Sequence, residues 1–429
     1  MNRIVVVGGG PVGLAFAICA AQLMRNAVRN AEIIVLERAP EATQSIGEAA
    51  GQVFDHRVYA LSPQSVALLE NSGVWSRLPS ARITSVEEMC VSSDADAADV
   101  VVDVADVAGV ADVADVADVA DVADVAEFAT HRLPSIHFSR GMALAHIVEH
   151  RALMSALTDA VVETDVVRKF GVVIDSMAND KNKRGVVLND GSRIEADLVV
   201  AADGRQSSVR QLAGIGAVVK DYRSVGIVAN FDCEIPHANI ARQWFTSAGV
   251  LAYLPLPKQQ ISIVWSVTEA FASTLPPRDS PAFAEAVASA GHHTLGSLSL
   301  KSAIDEIPLK RITADRVVAP GLALIGDAAH AIHPLAGQGV NLGFGDVRRL
   351  VDVLVGRSAL AGLGDVAVLR RYARAQAETT VAMGEATDRL HTLFSRNDNV
   401  SKWVRRSGFS WFDQSSLAKR LATEYAAQS

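Results

Sequence analysis

The sequence predicts an α/β protein, with a parallel nucleotide-binding sheet, a separate and mostly antiparallel sheet, and C-terminal helices. Three observations predict it. An apolar strand at the start of the chain runs into Gly8-Gly9-Gly10-Pro11-Val12-Gly13, and a second apolar strand ends in Asp203-Gly204. A third, Gly321 to Ile325, runs into GDAAHAIHPLAGQGVNLGFGD, Gly326 to Asp346. Between the second and third, residues 222–268 read as strands with no long helix between them.

With 429 residues the chain can bury a large core in two or three packed layers. An apolar content of 49% against 21% charged residues makes it globular, and no run of eighteen uncharged apolar residues predicts a membrane span. The opening MNRIVVVGGG enters a strand directly, without a basic n-region, which predicts no secretory signal and a cytoplasmic protein. Cys19, Cys90 and Cys233 are scattered and odd in number. They fit neither a metal site nor a CxxC motif, and read as neutral thiols in a reducing compartment. The net charge of −8 is local: residues 94–127 hold ten Asp, one Glu and no base, leaving 37 acids against 40 bases elsewhere. The bases are dispersed, so no nucleic-acid partner is expected.

Ile4 to Val7 form the first strand, Leu14 to Met24 a helix, and Glu32 to Leu36 a second strand ending on Glu37 and Arg38. This is the dinucleotide fingerprint in context. Gly8 makes the turn, Gly10 admits a pyrophosphate, Gly13 permits close helix packing, and Glu37 faces an adenosine ribose. The motif does not separate FAD from NAD. Arg57, in Asp55-His56-Arg57, precedes a helix over 64–72 and reads equally as a phosphate contact and as a surface arginine.

Residues 99–126 repeat Asp-Val-Ala with slips, unbroken from Ala111. A period of three matches neither helix nor strand, so the segment reads as an expanded repeat in a loop with no site. Ser135 to Ser139 is a short strand and Leu144 to Leu157 an apolar-periodic helix. Strands at 172–174 and 185–188 precede an Asn-Asp-Gly-Ser turn. The strand over 196–202 then ends in Asp203-Gly204, where ligands of α/β sheets bind.

In the antiparallel region, strands are expected at 224–232, 241–245, 250–255 and 260–267. Phe231, Trp244, Phe245, Tyr253 and Trp265 read as core, with some open to lining an apolar substrate cavity. A helix over 281–291 and a strand over 304–311 lead to the Gly326 stretch. There a buried strand meets a glycine-rich loop and a helix N-terminus, a setting that favours negative charge. Helical segments are expected from Val366 to Phe394. The tail mixes Trp403, Phe409, Trp411 and Phe412 with bases and reads as a helical cap or a membrane-surface contact.

The ordered triple GGGPVG, DLVVAADG and GDAAHAIHPLAGQGVN resembles the FAD-dependent aromatic hydroxylases of class A, the para-hydroxybenzoate hydroxylase superfamily. Within it, the chain is most similar to the ubiquinone-biosynthesis hydroxylases. The residues that carry this are HPLAGQGVNLG from His333, Asp55-His56-Arg57 with Ala60-Leu61-Ser62, IVEHR from Ile147, QWF from Gln243, and SIVWS from Ser262. His150 departs from the subgroup, which often has Asn there.

The resemblance implies a Rossmann-like FAD domain, discontinuous over 1–80, 135–220 and 310–360. It is interleaved with a substrate-binding sheet over 221–309 and closed by a helical region over 361–429. Residues 81–134 would be a partly low-complexity insertion. FAD would be held by Gly8, Gly10, Pro11, Gly13, Glu37, Arg38 and Arg57, with Asp203 and Gly204 near the pyrophosphate. Gly326 and Asp327 would meet the ribityl chain and Pro334 the ring. Gly337, Gln338, Gly339, Val340 and Asn341 would face the anionic edge of the reduced flavin. The activity implied is ring hydroxylation of a polyprenylated phenol through a C4a-hydroperoxyflavin. His330, His333 and Pro334 are the flavin-adjacent candidates, with no acid–base pair assigned. NADPH, NADH or another donor would supply electrons. Peripheral contact with the inner face of a membrane, contact with other ubiquinone-pathway proteins, and a homo-oligomer are compatible expectations. The alternatives are a hydroxylase of a small soluble phenol, a non-catalytic flavin-binding assembly subunit, or a flavin-dependent prenyl reductase.

Overall fold

The computed structural model describes residues 2–26, 31–41, 54–93, 135–139, 143–180, 183–246, 248–331 and 339–377. The Asp-Val-Ala repeat, His333, Pro334, Gly337, Gln338 and the aromatic tail lie outside them.

The first sheet runs Val318–Ala319, Leu322–Leu324, Leu198–Ala201, Asn2–Val7, Ala31–Leu36, Val167–Lys169. All neighbours are parallel except the first pair. The near-continuous apolar run at its centre is explained by cover on both faces. Ile4 and Val6 pack with the helices Pro11–Asn26 and Gly339–Val355, through Leu14, Phe16, Val347 and Leu350. Val5 and Val7, one step out of phase, pack with Val186, Leu188 and Ile194 of a three-stranded sheet, Ile174–Asp180, Lys183–Leu188 and Arg193–Ala196. Each such fully buried Leu, Ile or Phe contributes about 1.5–3 kcal/mol of transfer free energy.

The second sheet runs His330–Ala331, Asp305–Ala314, Ala217–Cys233, Gln260–Thr268, Gly249–Leu256, Ile240–Thr246, Glu88–Ser93, Ser135–Ser139. It is antiparallel except where Ile240–Thr246 meets Glu88–Ser93. Its outer face carries Phe231, Trp244, Tyr253 and Trp265 against Phe283 of the helix Pro281–Ala290. The Tyr253 hydroxyl donates to the Val287 carbonyl at 2.6 Å. These four aromatics are therefore core. Phe245 alone of the five expected aromatics faces the other way, with Val250 and Val91.

A small sheet of Val58–Leu61, Ala145–Glu149 and Ile83–Val86 covers part of that inner face. Here the expected helix over 144–157 is corrected. Ala145–Glu149 is a strand, and the helix is His150–Val162. Ile147 enters the core under the antiparallel sheet while Val148 enters the core of the parallel one. Adjacent residues on opposite faces are a strand's geometry.

The strands also cross the expected domain bounds. Ala217–Cys233 and Asp305–Ala314 pair from Ala217↔Ala314 to Val228↔Asp305, a ribbon that passes both the 220/221 and 309/310 boundaries. Ile83–Val86 and Glu88–Ser93 fall where the insertion was placed, yet belong to two sheets. Among the described residues, no helix is long and apolar enough to cross a membrane.

Candidate active site

A cavity of about 790 Å³ opens where the carboxyl ends of the parallel strands meet the inner face of the antiparallel sheet. Its size is that of a small-molecule or cofactor site. Gly8, Gly10, Pro11, Glu37, Arg38, Arg57, Asp203, Gly204, Asp327, Gly339 and Val340 all line it.

The three fingerprint glycines differ in what constrains them. Gly8 has φ +104, and a Cβ there would lie 2.4 Å from the Ala202 carbonyl oxygen. A Cβ on Gly13 would lie 2.0 Å from the Gly8 carbonyl oxygen, so the turn and the helix can approach only without side chains. A Cβ on Gly10 would meet nothing within 4 Å: its surroundings are open cavity. Glu37 closes the turn from the second strand, accepting the Gly9 N–H at 2.5 Å and the Ala39 N–H at 3.0 Å.

The Asp-Gly turn is held from behind. Asp203 Oδ2 accepts the Val209 N–H and the Ser208 hydroxyl, each at 3.1 Å, while its buried Oδ1 has no partner among the described residues. Ser207 caps the short helix Ser208–Leu212 by accepting the Arg210 N–H at 3.0 Å. Buried Arg210 donates to the Ala328 and Arg205 carbonyls, both at 2.9 Å, tying the Asp-Gly turn to the Gly326–Ala328 turn. The same arrangement brings Arg205 Nε to 3.1 Å from Asp327 Oδ2. Sequence reasoning did not assign Arg205 to the site. Its signal was a cation directly after Asp-Gly at the carboxyl end of a strand.

Arg57 reaches across to the antiparallel sheet. Its guanidinium donates to Asp305 Oδ2 at 3.1 and 3.2 Å, and His56 Nε2 lies 2.8 Å from the same oxygen. Hydrogen bonds from His56 and Arg57 hold the Asp305 carboxyl below its ordinary range. Tyr59 also lines the cavity, with its hydroxyl 2.8 Å from His150 Nδ1. Burial pushes the Tyr59 hydroxyl up to about 12, with Arg57 opposing and Asp327 and Asp55 adding, and burial pushes His150 down. Both groups are therefore neutral near pH 7 and hydrogen-bonded to each other.

The Gly326 stretch divides its labour. Gly326 is buried in the turn and Asp327 lines the cavity. His330, offered as flavin-adjacent, does not line the cavity. It is buried behind the turn, with Nε2 at 2.7 Å from Asp346 Oδ2, which also accepts the Gly326 N–H at 2.9 Å. Burial lowers its pKa, but the Asp346 charge and hydrogen bond outweigh burial and hold it above its ordinary value. Gly339 and Val340 begin the helix Gly339–Val355 at the cavity wall. The Asn341 side chain turns away, accepting the Ser62 N–H at 3.0 Å and the Ser65 hydroxyl at 2.7 Å and donating to the Ala60 carbonyl at 2.8 Å. It clamps the 60–65 segment and leaves only its backbone for a ligand.

Opposite the glycines, Gly226, Val228, Val264, Ile307 and Leu309 give the cavity an apolar floor. Among the described residues, no group of His, Cys, Asp or Glu is arranged to hold a metal ion.

The comparisons agree with this arrangement. The family described as FAD binding domain matches residues 1–387. The chain is 31% identical over 427 residues to 3-demethoxyubiquinol 3-hydroxylase of Escherichia coli (strain K12), covering 99% of this chain and 98% of that one. It is 29% identical over 471 residues to the mitochondrial ubiquinone biosynthesis monooxygenase COQ6 of Mus musculus, covering 99% and 90%. In structure it resembles p-nitrophenol 4-monooxygenase PnpA from Pseudomonas putida DLL-E4, with a TM-score of 0.69 at 14% identity, covering 100% and 99%. That likeness is one of fold.

Proposed function

Because the chain belongs to the FAD-binding-domain family of FAD-dependent monooxygenases, we propose that it hydroxylates the aromatic ring of a polyprenylated phenol in ubiquinone biosynthesis. The observation that carries this reading is that one cavity joins the nucleotide-binding turns to the apolar floor of the antiparallel sheet. Cofactor and an apolar ring would share it. The functions named for the two relatives supply the substrate class.

The residues present fit FAD. Open space at Gly10 suits a pyrophosphate at the N-terminus of the helix Pro11–Asn26. Glu37 stands at the end of the second strand, where a ribose would present hydroxyls. The unpartnered Asp203 Oδ1 and the Arg205–Asp327 pair supply polar groups along the middle of the cavity. The first N–H groups of the helix Gly339–Val355 point positive dipole at whatever lies beside Gly339 and Val340. FAD, when reduced, supplies the activation of molecular oxygen and its transfer to an electron-rich ring. The protein supplies orientation, an apolar surround and charge complementarity for the cofactor's anionic edge.

NADPH or NADH is proposed as reductant, and a peripheral membrane position with other pathway proteins as the setting that delivers so apolar a substrate. The test is a deletion strain analysed by mass spectrometry of its quinones. Accumulation of a prenylated intermediate lacking one ring oxygen, relieved by the intact gene, is the expected result. Normal ubiquinone in the deletion strain overturns the reading. Substrate-stimulated NAD(P)H oxidation by small soluble phenols alone would replace the prenylated substrate with a soluble one.

A further inference from the structure

One row of residues crosses the inner face of the antiparallel sheet. Val228 pairs Val264, Val264 pairs Ala252, Ala252 pairs Gln243, and Gln243 pairs Val91. Directly paired residues share a face. Val228 and Val264 line the cavity, so Gln243 stands on the same face two strands further on, about 10 Å from Val264. Its neighbour Trp244 lies in the outer core, which fixes the phase of the strand. The residue between Gln243 and the cavity floor is Ala252, too small to screen it.

Gln243 is out of place as a core residue. The residue is 6% exposed, its amide has no hydrogen-bond partner among the described residues, and neither amide atom is fully buried, so the amide is the part of Gln243 that stays reachable. A reachable amide that the protein leaves unpaired has hydrogen bonds to give and to accept. Its surroundings on this face are apolar: among the described residues, Phe245 and Val250 form a small, largely buried cluster with Val91 packed against it. An unpaired amide beside an apolar strip matches a molecule that carries an oxygen substituent on an apolar body.

We propose that Gln243 is the substrate-binding residue that recognises a ring oxygen of the phenol, with Phe245, Val250 and Val91 receiving the first part of its apolar chain. This rests on the hydroxylase reading above. The amide can donate to, or accept from, a phenolic hydroxyl. Two sheet rows then divide recognition: the Val228–Val264 floor lies under the reacting part of the ring, and Gln243 sets its rotation.

The test uses the FAD-loaded enzyme, its Gln243→Leu and Gln243→Glu variants, and two probes: a phenol with a short prenyl chain and the matching prenylbenzene without the oxygen. Binding is read from the perturbation of the bound flavin's visible spectrum, and product by mass spectrometry. Wild type is expected to bind the phenol about tenfold more tightly than the prenylbenzene. Gln243→Leu should bind the two alike, by weakening the phenol about tenfold and leaving the prenylbenzene unchanged, with a melting temperature no lower than wild type. Gln243→Glu should make phenol binding depend on pH, because ionisation leaves the new carboxyl able only to accept from the phenolic hydroxyl. If Gln243→Leu keeps the wild-type preference for the phenol, or Gln243→Glu binds it independently of pH, the assignment of Gln243 is overturned. If wild type instead discriminates among small phenols through Gln243 but never hydroxylates a prenylated one, the amide's role stands and the prenylated substrate is the part that fails.

Discussion

His330 Nε2 and Asp346 Oδ2 stand 2.7 Å apart, both side chains almost wholly inaccessible, and the same oxygen holds the Gly326 N–H. The turn that lines the cavity is thus hung from the helix behind it by a buried ionic hydrogen bond. Asp346→Ala should destabilise the protein by about 3–5 kcal/mol, since it strands a buried imidazole. Urea unfolding measures this. The pH dependence has a definite sign. His330 is held above its unfolded value of 6.5, so the pair's contribution is complete below that pH and is lost as pH rises through the higher folded value. Wild type should lose stability over that window, and His330→Gln should not.

Gly10 and Gly13 should respond differently to alanine. Gly13→Ala drives a Cβ into the Gly8 carbonyl and should lower the melting temperature of the FAD-free protein. Gly10→Ala meets no protein atom, so the FAD-free protein should melt as wild type does, while FAD affinity falls. Flavin fluorescence titration with paired melting curves separates the two. Unchanged FAD affinity in Gly10→Ala would show that the open space belongs to something else.

Arg205→Ala should act on the cofactor and hardly on the fold. Its pairing with Asp327 is more than a third exposed at both ends, and such pairs contribute about 0–1 kcal/mol. A charge-assisted contact to a cofactor phosphate is worth more, so FAD should bind at least about tenfold more weakly. The defect should shrink at high salt, where screening weakens the wild-type contact. Isothermal titration at two ionic strengths reads both effects.

Cys19 should be inert in the native protein. Burial raises its thiol to about 12, and Asp352 adds to the shift. At pH 8 the thiolate fraction is on the order of one in ten thousand. Mass spectrometry after thiol labelling should find Cys19 modified only once denaturant is added.

What the sequence made legible were constraints local in the chain. The Gly8 to Gly13 turn, the acid ending the second strand and the Asp203-Gly204 turn each depend on a few consecutive residues, and their elements stand within three residues of expectation. Residues whose role comes from distant partners were not legible. Arg205 finds Asp327, Arg57 finds Asp305, and Asn341 finds Ser62 and Ser65 only through the tertiary fold. The strand over Ala145–Glu149 read as helix because its apolar residues serve two cores at once. His330 was chosen by residue type. Its partner Asp346 was already in view, closing the same glycine-rich stretch, but a separation of sixteen residues gives no contact by itself.

The strand pairing Ser92↔Ser135 has a consequence for how this gene can change. The connection between Ser93 and Ser135, which contains the Asp-Val-Ala repeat, joins two paired strands, so the two ends of that connection are a single strand spacing apart. Doubling the length of such a connection costs only about 0.6 kcal/mol of closure entropy. Gain or loss of one three-residue unit also keeps the reading frame. Copy number at this point is therefore nearly invisible to folding, and copies of the gene should drift in repeat length while the residues on either side of it stay in register.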